Sequence, residues 1–204
     1  MWEGASKATG TSADRDGQGA SPKEQILEAC RRDNVELFEE VLDGLKGQRK
    51  EEIANFFNQT TDTMGNHLLH VCANYGACKP RRPRTIPRLT ICADDVMNEL
   101  LDIEFLECDP LTRRDKETPI HCAVRYANER EVELGEAMAK MLIEAGADPR
   151  VKDRHGRKPS EICTPRTGEL RSALIKEEYV LSEGLKNDSG AQEEGEDGSA
   201  SDSE

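Results

Sequence analysis

Aromatic side chains are scarce in this 204-residue sequence: one Trp, three Tyr and four Phe make up 4% of it. A core must therefore be assembled from Leu, Ile, Val, Ala and Met. With 35% hydrophobic and 34% charged residues, the composition suits a thin, stacked fold better than a compact sphere. Long apolar runs are missing too. None approaches the ~20 residues that span a bilayer, so no membrane partner is expected. The first residues lack the basic start and apolar stretch of a secretory signal, and they are not the Arg-rich segment of a transit peptide. The seven cysteines form no C-x-x-C pair. An odd number of scattered thiols suits a reducing compartment, so cytoplasm or nucleus is the expectation. A positive balance is also absent: the net charge is −13. Neutralising phosphates takes clustered Lys and Arg, which argues against a general nucleic-acid binder. There is no P-loop, no G-x-S-x-G elbow, no H-E-x-x-H and no Rossmann glycine pattern. The expectation is a non-enzyme without a cofactor.

The chain divides into three parts. Residues 1–20 are rich in Gly, Ser, Ala and Asp without apolar periodicity, and read as a disordered segment. Residues 182–204 read as a disordered acidic tail: from Asn187 onward there are seven acidic residues and no basic one. Between them, residues 21–181 carry paired helical signals. Ser21-Pro22-Lys23-Glu24 combines an N-cap, a first-turn proline and a capping-box Glu. Ile26, Leu27 and Cys30 follow on one stripe; Leu37, Phe38, Val41, Leu42 and Leu45 form a second after the Asp33-Asn34 break. Glu51 to Phe57 adds a short extra helix. Further on, GADPRVKDRHGRKPSEIC (146–163) parallels ECDPLTRRDKETPIHCA (107–123). Asp109 recurs as Asp148 and Pro119 as Pro159, offsets of 39 and 40 residues, so a repeat is the first architecture to test.

The segment TPIHCAV (118–124) resembles the ankyrin signature, and LIEAGADP (142–149) is similar to the end of that repeat's second helix. NHLLHVCANYG (66–76) resembles a weaker copy, with Leu68 at the proline position and His70 at the histidine position. The resemblance covers about residues 22–180 and implies an all-α ankyrin-repeat solenoid, each unit a β-turn and two antiparallel helices. Four units are expected, the first degenerate and the last a cap. In that cap Lys158 replaces the threonine and Glu161 the histidine. His70 and His121 lie 51 residues apart, which places a large insertion at 78–95; a smaller one is expected near 128–136. Within the signature, Thr118 is expected to accept from first-turn N–H groups, and Leu134, Met138, Met141, Leu142 and Ala145 to form the inward stripe of the following helix. Gly146 suits the left-handed residue that ends it.

The resemblance implies protein binding through a concave face and hairpin tips. Tyr75 and Tyr126, each five residues after a motif histidine, are candidate anchors on the concave side. Arg113, Arg114 and Lys116 on one tip, with Arg150, Lys152, Arg154 and Arg157 on the next, form a basic set. Lys79 to Arg84, with Arg88, makes a second basic stretch inside the insertion. The favoured reading is an adaptor or dedicated chaperone, monomeric when free, for a basic client such as a ribosomal protein or histone. Two alternatives stand beside it. One is nucleic-acid or anionic-ligand binding by the basic segments. The other is a zinc-dependent enzyme using His67, His70, Cys72 and Cys78 with His121 and Cys122, weighed against the local structural roles that the motif gives those residues.

Overall fold

The computed structural model describes residues 20–76 and 95–189, and among these there is no strand beyond isolated bridges. The disordered-segment reading, most of the insertion with Cys78 and its basic stretch, and the acidic tail past Ser189 lie outside the described residues.

Each helical pair forms where the sequence supplies both caps and a stripe. Helix α1 (Pro22–Arg32) opens on the expected capping box: the Glu24 N–H donates to Ser21 Oγ at 3.3 Å, and the Ser21 N–H donates to the Glu24 carboxylate at 2.8 Å. Asp33, left-handed at φ 53°, turns the chain, and Asn34 caps α2 (Val35–Gly44) by accepting from the Leu37 N–H at 3.2 Å. The extra helix is α3 (Lys50–Gln59). It lays Phe57 against Phe38 with ring centroids 5.8 Å apart. Helices α4 (Leu68–Tyr75) and α5 (Val96–Leu101) make the second pair, α6 (Pro119–Glu129) and α7 (Val132–Glu144) the third. In the fourth unit the first helix is reduced to two 3-10 turns, Pro159–Glu161 and Pro165–Thr167, before α8 (Gly168–Ser189). Helix α8 runs on past Leu181, into the segment read from the sequence as tail.

One continuous core threads the stack, from Ile26 and Phe38 through Leu69, Val71, Met97 and Leu100 to Ile120, Val124, Met138, Leu142 and Leu174. Neighbouring pairs supply each other's partners, so no pair buries its apolar face alone. The extra residues expected near 128–136 are taken up as helix: α6 and α7 are joined directly across Arg130 and Glu131, and have 11 and 13 residues against 8 and 6 in α4 and α5. One local expectation needs correction. In α7, Leu134, Met138 and Leu142 are buried, but Met141 is half-buried and Ala145 exposed, because the stripe is narrower than the apolar run. Gly146 ends the helix at φ 98°, as its position demands.

The tightest crossing is α6 on α7. A Cβ on Gly135 would stand 2.4 Å from the Ala127 Cβ and 2.7 Å from the Ala127 backbone nitrogen. Gly135→Ala is therefore expected to destabilise: overpacking of about 1–3 kcal/mol outweighs the ~1 kcal/mol of helix propensity gained, and a thermal melt reads the net loss. Leu142→Ala opens a cavity at a fully buried site. Denaturant melts should show a loss of about 2–5 kcal/mol.

Candidate functional site

Three tips repeat one local design. In each, the first residue's side-chain oxygen accepts the N–H of the last: Asp62 from Asn66 at 2.9 Å, Thr112 from Glu117 at 3.0 Å, Asp153 from Arg157 at 2.9 Å. The tips are laced to each other by backbone bonds, Arg113 N–H to the Gly65 carbonyl at 3.3 Å and Arg154 N–H to the Asp115 carbonyl at 2.9 Å. The tip at Asp62–Asn66 was not singled out in the sequence. Its signal was an Asp followed three residues later by Gly-Asn, which is turn chemistry.

The motif histidines fasten one unit to the next. His70 Nε2 donates to the Glu117 carbonyl at 2.8 Å, and His121 Nε2 donates to the Arg157 carbonyl at 3.1 Å. His121 shows why that tautomer is fixed: its Nδ1 accepts from the Thr118 N–H at 3.2 Å and lies 2.9 Å from the Thr118 hydroxyl. The Thr118 hydroxyl thus stands in a capping box with His121, against both the first turn and the imidazole. In the capping unit Glu161 takes the histidine's place and accepts from the Lys158 N–H at 2.8 Å. Burial keeps both rings neutral: His70 is pushed down to about 4, and His121 is shifted in the same direction.

Of the nominated zinc ligands, Cys78 lies outside the described residues, and the others have local partners or are buried. His67 Nδ1 lies 2.9 Å from the Asn58 carbonyl, and burial pushes the Cys72 thiol well up and the Cys122 thiol up to about 12. Among the described residues no three His, Cys, Asp or Glu side chains are grouped as a metal site. No helix among them is long and apolar enough to cross a membrane.

Tyr75 and Tyr126 line one cleft of about 370 Å³, with Asp62, Asn66, Asn74 and Glu129 around them. Tyr75 is 49% exposed. Tyr126 lies over Gly76 at the end of α4, so close that a Cβ there would meet its hydroxyl at 2.4 Å, and the Arg130 guanidinium sits 5.6 Å from its ring centre. Arg125, ion-paired to Glu117, closes the floor. Arg125, Glu129 and Arg130 were not nominated from the sequence; the helical offset of Arg125, Tyr126 and Glu129 places them on one edge of α6 beside the cleft.

The basic set is brought onto adjacent tips, with three of its seven cations in ion pairs. Arg150 pairs with Asp148 at 2.8 Å, Arg154 with Asp115 at 3.1 Å and Arg157 with Asp153 at 2.9 Å. Burial would raise the Asp153 carboxyl, yet bonds from Arg157 and the His155 N–H outweigh it and hold the group below its ordinary value. Arg113, Arg114, Lys116 and Lys152 are exposed and have no ion pair among the described residues.

Turn, helix pair, buried histidine and stacked units define a helical repeat protein of the ankyrin type. The ankyrin-repeat family model matches residues 115–154. The ankyrin repeat-containing protein YGL242C of Saccharomyces cerevisiae is 38% identical over 146 residues, 71% of each chain. A zinc finger CCCH domain-containing protein 56 of Arabidopsis thaliana is 32% identical over 96 residues, covering 45% of this chain and 13% of that one. This chain belongs to the ankyrin-repeat family, whose members serve in general as protein-binding modules and not as catalysts.

The neutral histidines carry a pH signature. The unfolded ring takes up a proton near its ordinary value of 6.5, while folded His70 resists until about 4. Unfolding therefore binds protons in that window, and stability falls as pH falls through it. The His70 share should be about 2 kcal/mol lost between pH 7 and pH 5. His70→Gln, which keeps a donor but not the titrating ring, should lose less over the same interval in urea melts.

Proposed function

We propose that this chain is an adaptor or dedicated chaperone that holds a basic protein client, such as a ribosomal protein or histone. The observation that carries the reading is the cleft in which Tyr75 and Tyr126 converge. It is open, lined on two sides by aromatic rings, and framed by fixed polar groups. Aromatic anchors in such a setting supply contact area at little entropic cost, the usual make-up of a binding hot spot. The sign of the client follows from charge. The chain has a net charge of −13, and its last stretch from Asn187 concentrates seven carboxylates without a cation. Long-range attraction of a basic segment, followed by local grip on the tyrosines, is the mechanism.

Binding of nucleic acid or an anionic ligand by the tips is the weaker reading. Three of the seven tip cations are already paired with aspartates of the same or the neighbouring tip, which leaves four for phosphates.

A core histone and a duplex DNA serve as probes, titrated calorimetrically at low salt. The full chain should bind the histone and not the DNA. Tyr75→Ala, at a half-exposed position, should weaken the histone by about tenfold, and a chain ending at Ser189 should also weaken it. Unchanged histone affinity in both variants, or preferential binding of the DNA, overturns the proposal.

A further inference from the structure

Away from the tyrosine cleft, a groove of about 520 Å³ lies between α7 and α8. Its origin is the shortened fourth unit. Helix α7 packs closely on α6, whereas α8 rests on the two 3-10 turns and meets α7 hardly at all. A gap is left along the outer helices of the last two units. Its floor is apolar, made by Ile143, Leu170 and Ala173. Its walls are two ridges: Glu136, Lys140 and Glu144 on α7, and Glu169 and Glu177 on α8. Four residues of helix rise about 6 Å, so the glutamates on each ridge stand about 12 Å apart along it.

The charges on these walls are largely uncommitted. Lys140 stands 3.7 Å from Glu144, both well exposed. Glu136, Glu169 and Glu177 have no ion pair among the described residues. Elsewhere on α8, Glu178 is bound to Lys158 at 2.6 Å and Ser160 at 2.5 Å, on the side of the fourth unit and away from the groove. Four glutamates face one lysine across an apolar floor.

We infer that the α7–α8 groove docks a basic amphipathic helix of a protein partner. This rests on the reading of the chain as a protein-binding module, and it adds a second surface on the outer layer. The complementarity sets the occupant's chemistry. An apolar stripe at helical spacing covers Ile143 and Leu170, and Lys or Arg side chains two turns apart on either edge meet Glu136 and Glu144 or Glu169 and Glu177. An acidic or purely polar helix is rejected by the same walls.

The probe is a synthetic Leu/Lys amphipathic helical peptide, with a Leu/Glu peptide of the same pattern as control, titrated against the full chain at low salt. Three variants are compared with the unmodified chain: Glu136→Gln/Glu169→Gln/Glu177→Gln, Ala173→Arg on the exposed floor, and Tyr75→Ala in the distant cleft. Circular dichroism confirms that each folds. The Leu/Lys peptide should bind, weaken by about tenfold in the triple variant, weaken further in Ala173→Arg, and be unaffected by Tyr75→Ala. The Leu/Glu peptide should not bind. Affinity indifferent to the groove variants, or lost only with Tyr75→Ala, overturns the groove. In the second case the tyrosine cleft still stands as the protein-binding site. Sensitivity of the peptide to the groove, with no histone binding by the full chain, keeps the groove and removes the histone-type client.

Discussion

The bond from a buried imidazole to the next unit's tip carbonyl is the constraint from which much of this structure follows. It requires a proton on Nε2, and in His121 the second nitrogen, which accepts from the Thr118 N–H, requires in addition that the ring be neutral. It requires a carbonyl at a set height, so the tip must be a closed turn. Asp62, Thr112 and Asp153 close those turns with the same side-chain geometry. Apolar packing between units is non-directional and supplies most of the driving force. The histidine bonds add the direction and register that packing alone leaves loose.

The same framework decides how the surface can act. Tip residues that face a neighbour's backbone are spent on registration, and this is where Arg154 goes, with its N–H and its guanidinium both on Asp115. Residues at the helix ends are released for recognition, and Tyr75, the last residue of α4, is one of them. Tyr126 stands between the two roles. It fills the space over Gly76 and still presents part of its ring to the cleft.

Much of the fold was legible because its signals are local. Ser21-Pro22-Lys23-Glu24, Thr118-Pro119 and Gly146 state where helices begin and end, and each does so in the structure. Register was harder. The extra residues near 128–136 read as an insertion, since offset alone does not tell a loop from a longer helix. The site was half visible. Residue type and spacing brought Tyr75 and Tyr126 to one side, but the partners of Arg150, Arg154 and Arg157 depend on how two turns lie against each other, and a list of cations does not contain that. The α7–α8 groove left no sequence signal: it arises because a helix expected at Pro159 shrinks to a 3-10 turn.

Both motif-histidine bonds run one way, from a unit toward its C-terminal neighbour. Acceptor and donor of the third unit are the Glu117 carbonyl and the His121 ring, four residues apart in sequence. A tandem duplication of this unit would bring in one new carbonyl and one new imidazole together, already matched to each other and to both neighbours. A copied unit would therefore keep the hydrogen-bond register of the interior, while in the last unit Glu161 turns back onto the Lys158 N–H of its own turn, where a motif histidine reaches onward to a neighbour.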